Sequence, residues 1–170
     1  MTKEELGKEI REWIKALFTA VIFGLVLHFF IFETVYVQQR SMYPTLKEGE
    51  RLIMLKINYI VGRPKRGDIA IVKIDPTSKY VKRVIGLPGE TIQIAGNVVY
   101  INGDVLDEPY LDSRMQYSDY PLTTIPEGMY FVMGDNRPDS LDSRSPMIGF
   151  IFEEEFLGKV SLRFSPFGFF

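Results

Sequence analysis

The chain has 170 residues, 46% of them hydrophobic and 14% aromatic, with a formal net charge of −2. That length suits one ordinary domain able to bury a core without disulfides or a structural metal. With no Cys and one His, His28, thiol nucleophiles, disulfide frameworks, zinc fingers and most transition-metal sites are excluded, leaving only carboxylate metal sites. Lys and Arg scattered among Asp and Glu exclude a strongly basic nucleic-acid binder.

The first predicted element is a membrane anchor. From Ala16 to Phe32 no Asp, Glu, Lys or Arg occurs, and Ile14 extends the run where Lys15 reaches toward headgroups. Trp13 and Tyr36 flank it as interfacial aromatics, about 35 Å apart along a helix. No small-x-small site follows, so the run reads as an uncleaved anchor rather than a signal peptide. We divide the chain into a cytoplasmic segment (1–15), a transmembrane anchor (16–36) and an extracytoplasmic β domain (37–170). The basic residues of the N-terminal segment favour a cytoplasmic N-terminus by a small margin. His28 inside the run reads as structural. Ser41 follows Phe32 by nine positions, so it lies within about 30 Å of the end of the span even on an extended chain.

Downstream, short β-branched runs separated by turn signals predict strands: "RLIMLKI" from Arg51, "DIAIVKI" from Asp68, "YVKRVIGL" from Tyr80, "TIQIAGNVVYING" from Thr91, "MYFVMGD" from Met129 and "GKVSLRF" from Gly158. Turns are expected around Ala95-Gly96-Asn97 and at Asn102-Gly103. Residues 108–124 have weak periodicity and read as an irregular insertion. The fold class is mainly β: an N-terminal transmembrane helix followed by a mostly antiparallel, barrel-like domain. The apolar C-terminal "FSPFGFF" fits a membrane contact or a packed tail equally well.

In "VQQRSMYPTL", Ser41 stands just after the anchor. A serine hydroxyl is a poor nucleophile until a base takes its proton, and the only His lies in the expected bilayer. The remaining base is a lysine whose pKa is brought from about 10.4 to near 8 by burial, at a cost of about 3 kcal/mol. Lys82 in "KYVKRVIGLPGE" fits, because alternation puts Tyr80 and Val84 on its face of the strand. Lys56, Lys73 and Lys79 compete on spacing alone. A third stretch, "GDNRPDSLDSR" (134–144), offers a hydroxyl to orient an amine and a carboxylate–guanidinium pair to brace it, or else is a solvated turn. Asp135, Asp139 and Asp142 do not make a calcium loop: Ser140 stands where the Gly belongs and no Glu closes it. No metal and no cofactor are expected.

"SMYPTL", "RGDIAIVK", "YVKRVIGLPGE" and "GDNRPDSLDSR", in this order behind an apolar segment, resemble the boxes of bacterial type I signal peptidases. The resemblance implies a membrane-anchored Ser/Lys serine endopeptidase with its catalytic domain outside the cytoplasmic membrane. It assigns the nucleophile to Ser41 and the general base to Lys82, has Ser140 hold the Lys82 amine, and has Asp142 and Arg144 support the site. The Ser41 N–H would be one oxyanion donor. Many proteobacterial relatives have a serine two residues before the nucleophile as the other donor; this chain has Gln39. Met42, Val81 and Val84 are pocket candidates by adjacency. The implied partners are secretory preproteins, cut after a small-x-small site, and membrane lipid, with no nucleic acid. Two other readings are a self-cleaving Ser/Lys repressor, which needs a DNA-binding domain in place of the apolar helix, and a membrane-anchored binding domain with an idle dyad.

Overall fold

Alternating apolar runs pair into two antiparallel sheets in the computed structural model, which describes residues 3–74, 78–112, 114–165 and 167–169, and the side chains of these except 3–5, 28–30 and 165. The chain begins with helix α1 (Lys3–Phe30) and strand β1 (Phe32–Tyr36), followed by β2 (Arg51–Leu55), the short α2 (Ile57–Ile60), β3 (Ile69–Lys73) and β4 (Lys79–Gly86). Next come β5 (Thr91–Ala95), β6 (Val98–Ile101), β7 (Asp104–Val105), β8 (Tyr120–Thr124) and β9 (Met129–Met133). The last strands are β10 (Ile151–Phe152), β11 (Phe156–Ser165) and β12 (Gly168–Phe169). The larger sheet has the order β1-β2-β11-β3-β4-β9-β10, with β12 on β11; the smaller is β7-β6-β5-β8. The mainly β, antiparallel reading therefore holds.

Six expected strands are present, and so are both turns. Gly96 and Asn97 have φ of 57° and 67°, and Asn102 and Gly103 have 53° and 89°, the paired positive angles that a two-residue hairpin needs to match strand twist. Two segments differ from expectation. Residues 32–36, assigned from sequence to the end of the 16–36 anchor, form β1 in register with β2, from Phe32 opposite Leu55 to Tyr36 opposite Arg51. The reason is local: Phe-Glu-Thr-Val-Tyr alternates, Val35 packs on the core, and Glu33 meets Lys56 at 2.8 Å and Lys79 at 2.6 Å. Tyr36 has the Arg51 guanidinium 5.3 Å from its ring. The insertion also ends in a strand, β8, which pairs with β5.

Among the described residues no helix is long and apolar enough to cross a membrane. Within the uncharged run the side chains of residues 28–30 lie outside the described ones, and His28 with them. Helix α1 leads directly into β1, and Trp13, Leu17, Phe18 and Phe23 are exposed on it.

Three apolar clusters form the core. In the first, Met42 and Leu46 from the segment after Ser41 pack on Leu52, Met54, Ile69 and Ile71. Each such buried side chain contributes roughly 1.5–3 kcal/mol, and together they pin the loop from Ser41 to Leu46 onto the larger sheet. The second cluster joins the two sheets through Ile85, Ile92, Ile125 and Phe131. The third holds Ala70, Val72, Val84, Tyr130 and Val132.

Candidate active site

Two loops meet at the edge of β4. The first, residues 40–46, is fastened at its apolar end as described. The second, residues 134–144, leaves β9 and turns back through Ser143, whose N–H donates to the Val132 carbonyl at 3.1 Å and whose hydroxyl accepts from the Val132 N–H at 3.0 Å. Asn136 joins the loops: its N–H donates to the Ser41 carbonyl at 2.9 Å and its side-chain amide to the Arg40 carbonyl at 3.1 Å. Thr45 adds a third tie by donating to Asp135 at 2.5 Å.

Gly134 allows this approach. A Cβ there would overlap both the Ser41 carbonyl oxygen and the Ser140 hydroxyl, so any larger residue would push the Ser41 loop and Ser140 apart. This close contact puts the Ser41 backbone beside Ser140, and Ser140 in turn accepts a hydrogen bond from the Lys82 amine at 3.1 Å.

Lys82 is 1% exposed on β4, opposite Ala70, with its amine 5.9 Å from the centre of the Tyr80 ring. Burial lowers its pKa to about 8; the Asp142 charge opposes this, Arg144 adds to it, and Asp135 opposes it. The amine is therefore substantially neutral near pH 8, which a base must be to accept a proton. Lys56, Lys73 and Lys79, the rivals from spacing, are not enclosed in this way: Lys73 is exposed, and Lys56 and Lys79 face Glu33.

Asp142 is buried and braced. Arg144 grips it with two bonds, Nε to Oδ1 at 2.8 Å and Nη2 to Oδ2 at 2.9 Å, and the Gly134 N–H donates to Oδ2 at 3.0 Å. Burial works to raise its pKa, but the bonds and charge of Arg144, with help from the Gly134 N–H and the Ser140 hydroxyl, hold it below the usual value. Ser140 thus lies between a buried carboxylate and a buried amine.

The Ser41 side is a narrow cleft of about 50 Å³ lined by Gln39, Ser41, Met42, Ile71, Tyr80 and Val81. Ser41 is 8% exposed, and Gln39 is exposed along the same cleft. Val84 is absent from the lining; it is fully buried in the third cluster. A wider groove continues the cleft between β1 and the start of β4, past Glu33, Tyr36 and Lys79. Among the described residues no hydrogen bond joins the Ser41 hydroxyl to Lys82, and catalytic contacts in substrate-free enzymes are commonly looser than in complexes.

Several residues of this neighbourhood were not singled out from sequence. Arg83 makes a buried two-bond pair with Asp135, Nε to Oδ1 at 2.8 Å and Nη2 to Oδ2 at 2.6 Å. Arg137, 1% exposed, is paired with Glu108 from the insertion. A charged residue inside an apolar strand, as Arg83 is, must find a partner or destabilise the fold, and that was the signal available. Asp135 and Asp142 are each occupied by an arginine.

The family model described as "Signal peptidase, peptidase S26" matches residues 10–165. The chain belongs to this family. It is 45% identical over 168 residues to Signal peptidase I T of Bacillus subtilis (strain 168), covering 92% of this chain and 86% of that protein. It is 43% identical over 166 residues to Signal peptidase I of Bacillus licheniformis, covering 92% and 89%. A crystal structure of a signal peptidase I from Enterococcus faecalis V583 is 35% identical, covers 58% of this chain and 97% of its own, and superposes with a TM-score of 0.49. Family membership makes the chain a serine peptidase of the signal peptidase class and sets aside the repressor and the idle binding domain.

Proposed function

We propose that Ser41 and Lys82 form the dyad with which this chain removes signal peptides from secretory preproteins. The observation that carries the reading is the buried Lys82 amine, held by Ser140 beside the Ser41 loop and brought to about 8. Neutral Lys82 takes the Ser41 Oγ proton as the oxygen attacks the scissile carbonyl. The same proton then goes to the departing amine, which releases the mature N-terminus and leaves an ester on Ser41. Lys82, neutral again, takes a proton from water; the hydroxide attacks the ester, and Ser41 recovers its proton as the signal peptide leaves as an acid. The Ser41 N–H donates to the oxyanion, and Gln39, which lines the same cleft as Ser41, is the candidate for the second donor. Asp142 and Arg144 keep Ser140 in place.

A cleft of about 50 Å³ beside the nucleophile admits only small side chains, which suits a small-x-small site, with Met42 and Val81 in its walls. The groove between β1 and β4 accommodates the extended segment before the cut. The exposed apolar side chains of α1 have no partner within the β domain, which supports an anchor in the cytoplasmic membrane that holds the catalytic domain at its outer face.

The test is mass spectrometry of a preprotein incubated with the full chain in detergent, alongside Ser41→Ala and Lys82→Ala. One cut after a small-x-small site, lost in both variants, with a rate that climbs through about pH 8, is expected. Cleavage that survives Lys82→Ala would remove the lysine from the mechanism.

A further inference from the structure

The insertion after β7 reaches the back of the site through two side chains. Glu108 accepts two bonds from Arg137, Nη1 to Oε2 at 3.0 Å and Nη2 to Oε1 at 2.5 Å, while the Tyr110 hydroxyl donates to its Oε1 at 2.6 Å. Arg137 passes this hold to the loop: its Nε donates to the Gly134 carbonyl at 3.0 Å, and its own carbonyl accepts from Arg144 Nη2 at 2.7 Å. The Tyr110 ring stacks on the Arg83 guanidinium, 3.8 Å from ring centre to Cζ, directly after Lys82 in sequence. Tyr117 fixes the far end: its N–H and hydroxyl donate to the Asn97 side-chain and backbone oxygens at 2.8 and 2.7 Å, tying the insertion to the β5–β6 turn. The smaller sheet thus grips both elements that enclose the dyad.

We propose that Glu108 is a positioning residue for the peptidase reaction, with Tyr110 as its support: the pair clasps Arg137 and Arg83 so that Gly134, Ser140 and Asp142 stay closed around Lys82. This rests on the reading of Lys82 as the base. Glu108 itself touches neither Lys82 nor the cleft. Its effect passes through two arginines on different elements, one on β4 and one on the loop after β9.

The consequence is specific. The groups facing Lys82 are Ser140, Asp142 and Arg144 from the loop, Asp135 from its start, and Tyr80 from its own strand. Loosening the loop admits water to the amine and raises its pKa from about 8 toward the ordinary lysine value. Simple removal of a distant negative charge acts in the opposite direction, so the sign separates positioning from through-space electrostatics. A purely structural role would lower the melting temperature but leave the pH profile of the folded enzyme unchanged.

The experiment measures kcat, KM and the acid limb of kcat against pH for the full chain and for Glu108→Gln, Tyr110→Phe and Lys82→Ala. Glu108→Gln is expected to lose roughly ten- to a hundredfold in kcat, as small misplacements do, with KM unchanged and the acid limb moved to higher pH. Tyr110→Phe keeps the stack on Arg83, loses one bond and shifts the same way by a smaller amount. If Glu108→Gln does not fold, Tyr110→Phe decides alone. Wild-type kcat and an unmoved acid limb in the folded variants overturn the proposal while Lys82→Ala remains inactive. Activity in Lys82→Ala overturns the dyad reading and this proposal with it.

Discussion

Lys82 and Arg83 are neighbours on β4, both basic residues and both more than nine-tenths buried, yet their surroundings are opposite. Arg83 is matched bond for bond by Asp135, donates to the Gly67 carbonyl at 2.9 Å, and is capped by the Tyr110 ring. Lys82 has one neutral hydroxyl for its amine and an aromatic face beside it. Arginine stays charged, so surrounding it with bonds makes it a structural bolt. Lysine can give up its proton, and a site that withholds a carboxylate from contact while burying the amine suits it to the role of base that we propose. Strand alternation turns the two side chains to opposite sides, so successive residues receive opposite treatment within one strand.

Exchanging the chemistry of the two positions should have the largest effect. Lys82→Arg places a cation that cannot act as a base at the reacting position, and we expect cleavage to fall about 10⁴-fold or more, as loss of a catalytic partner does. Single-turnover cleavage of a preprotein at pH 8 to 9 measures it, and a loss under tenfold would mean the base lies elsewhere. Next comes Asp135→Ala, which leaves Arg83 buried and unpaired and should cost about 3–5 kcal/mol in urea unfolding. Asp135 also favours the charged form of Lys82, so in the folded variant the acid limb of activity should move to lower pH, opposite to the movement expected for Glu108→Gln.

These contrasts also mark what the sequence could reveal. Strands β2 to β6, β9 and β11 follow from alternation and from turn residues at positive φ, which are local properties. Strand β1 was hidden because Phe32 ends the apolar run, and only the later residues Lys56 and Lys79 make Glu33 at home on a sheet. The residue pair Lys82 and Ser140, 58 positions apart, was legible only in part as chemistry: a serine without a histidine needs a buried lysine, but Lys56, Lys73 and Lys79 competed on spacing, and it was the family resemblance that singled out Lys82 and Ser140. The bracing pairs pose no such question. Arg83 with Asp135 is 52 positions apart and Arg137 with Glu108 is 29, and any of the scattered charges would have served equally well on paper. Glu108 in particular lies in a stretch whose weak periodicity reflects its role: it packs by ion pairs and ring contacts instead of by an apolar face.

The most delicate measure of the comparison is the stability of Lys82→Met. A lysine at about 8 in the folded protein and near 10.5 in the unfolded chain binds more protons unfolded than folded across that interval. Wild-type stability contributed by this group therefore rises with pH from about 8 to about 10.5, and below 8 the full penalty of a buried charge is present. Replacing it with an apolar side chain of similar length should stabilise the protein by about 3 kcal/mol at pH 6, with the advantage shrinking toward zero above about pH 10. Urea unfolding of both proteins at the two pH values measures the effect. A constant difference across pH would mean that packing, rather than the buried charge, separates them, and Lys82 would then be held as comfortably as Arg83. A difference that closes with rising pH means the fold maintains a strained lysine next to a satisfied arginine, a cost in stability that the proposed role of Lys82 as a base accounts for.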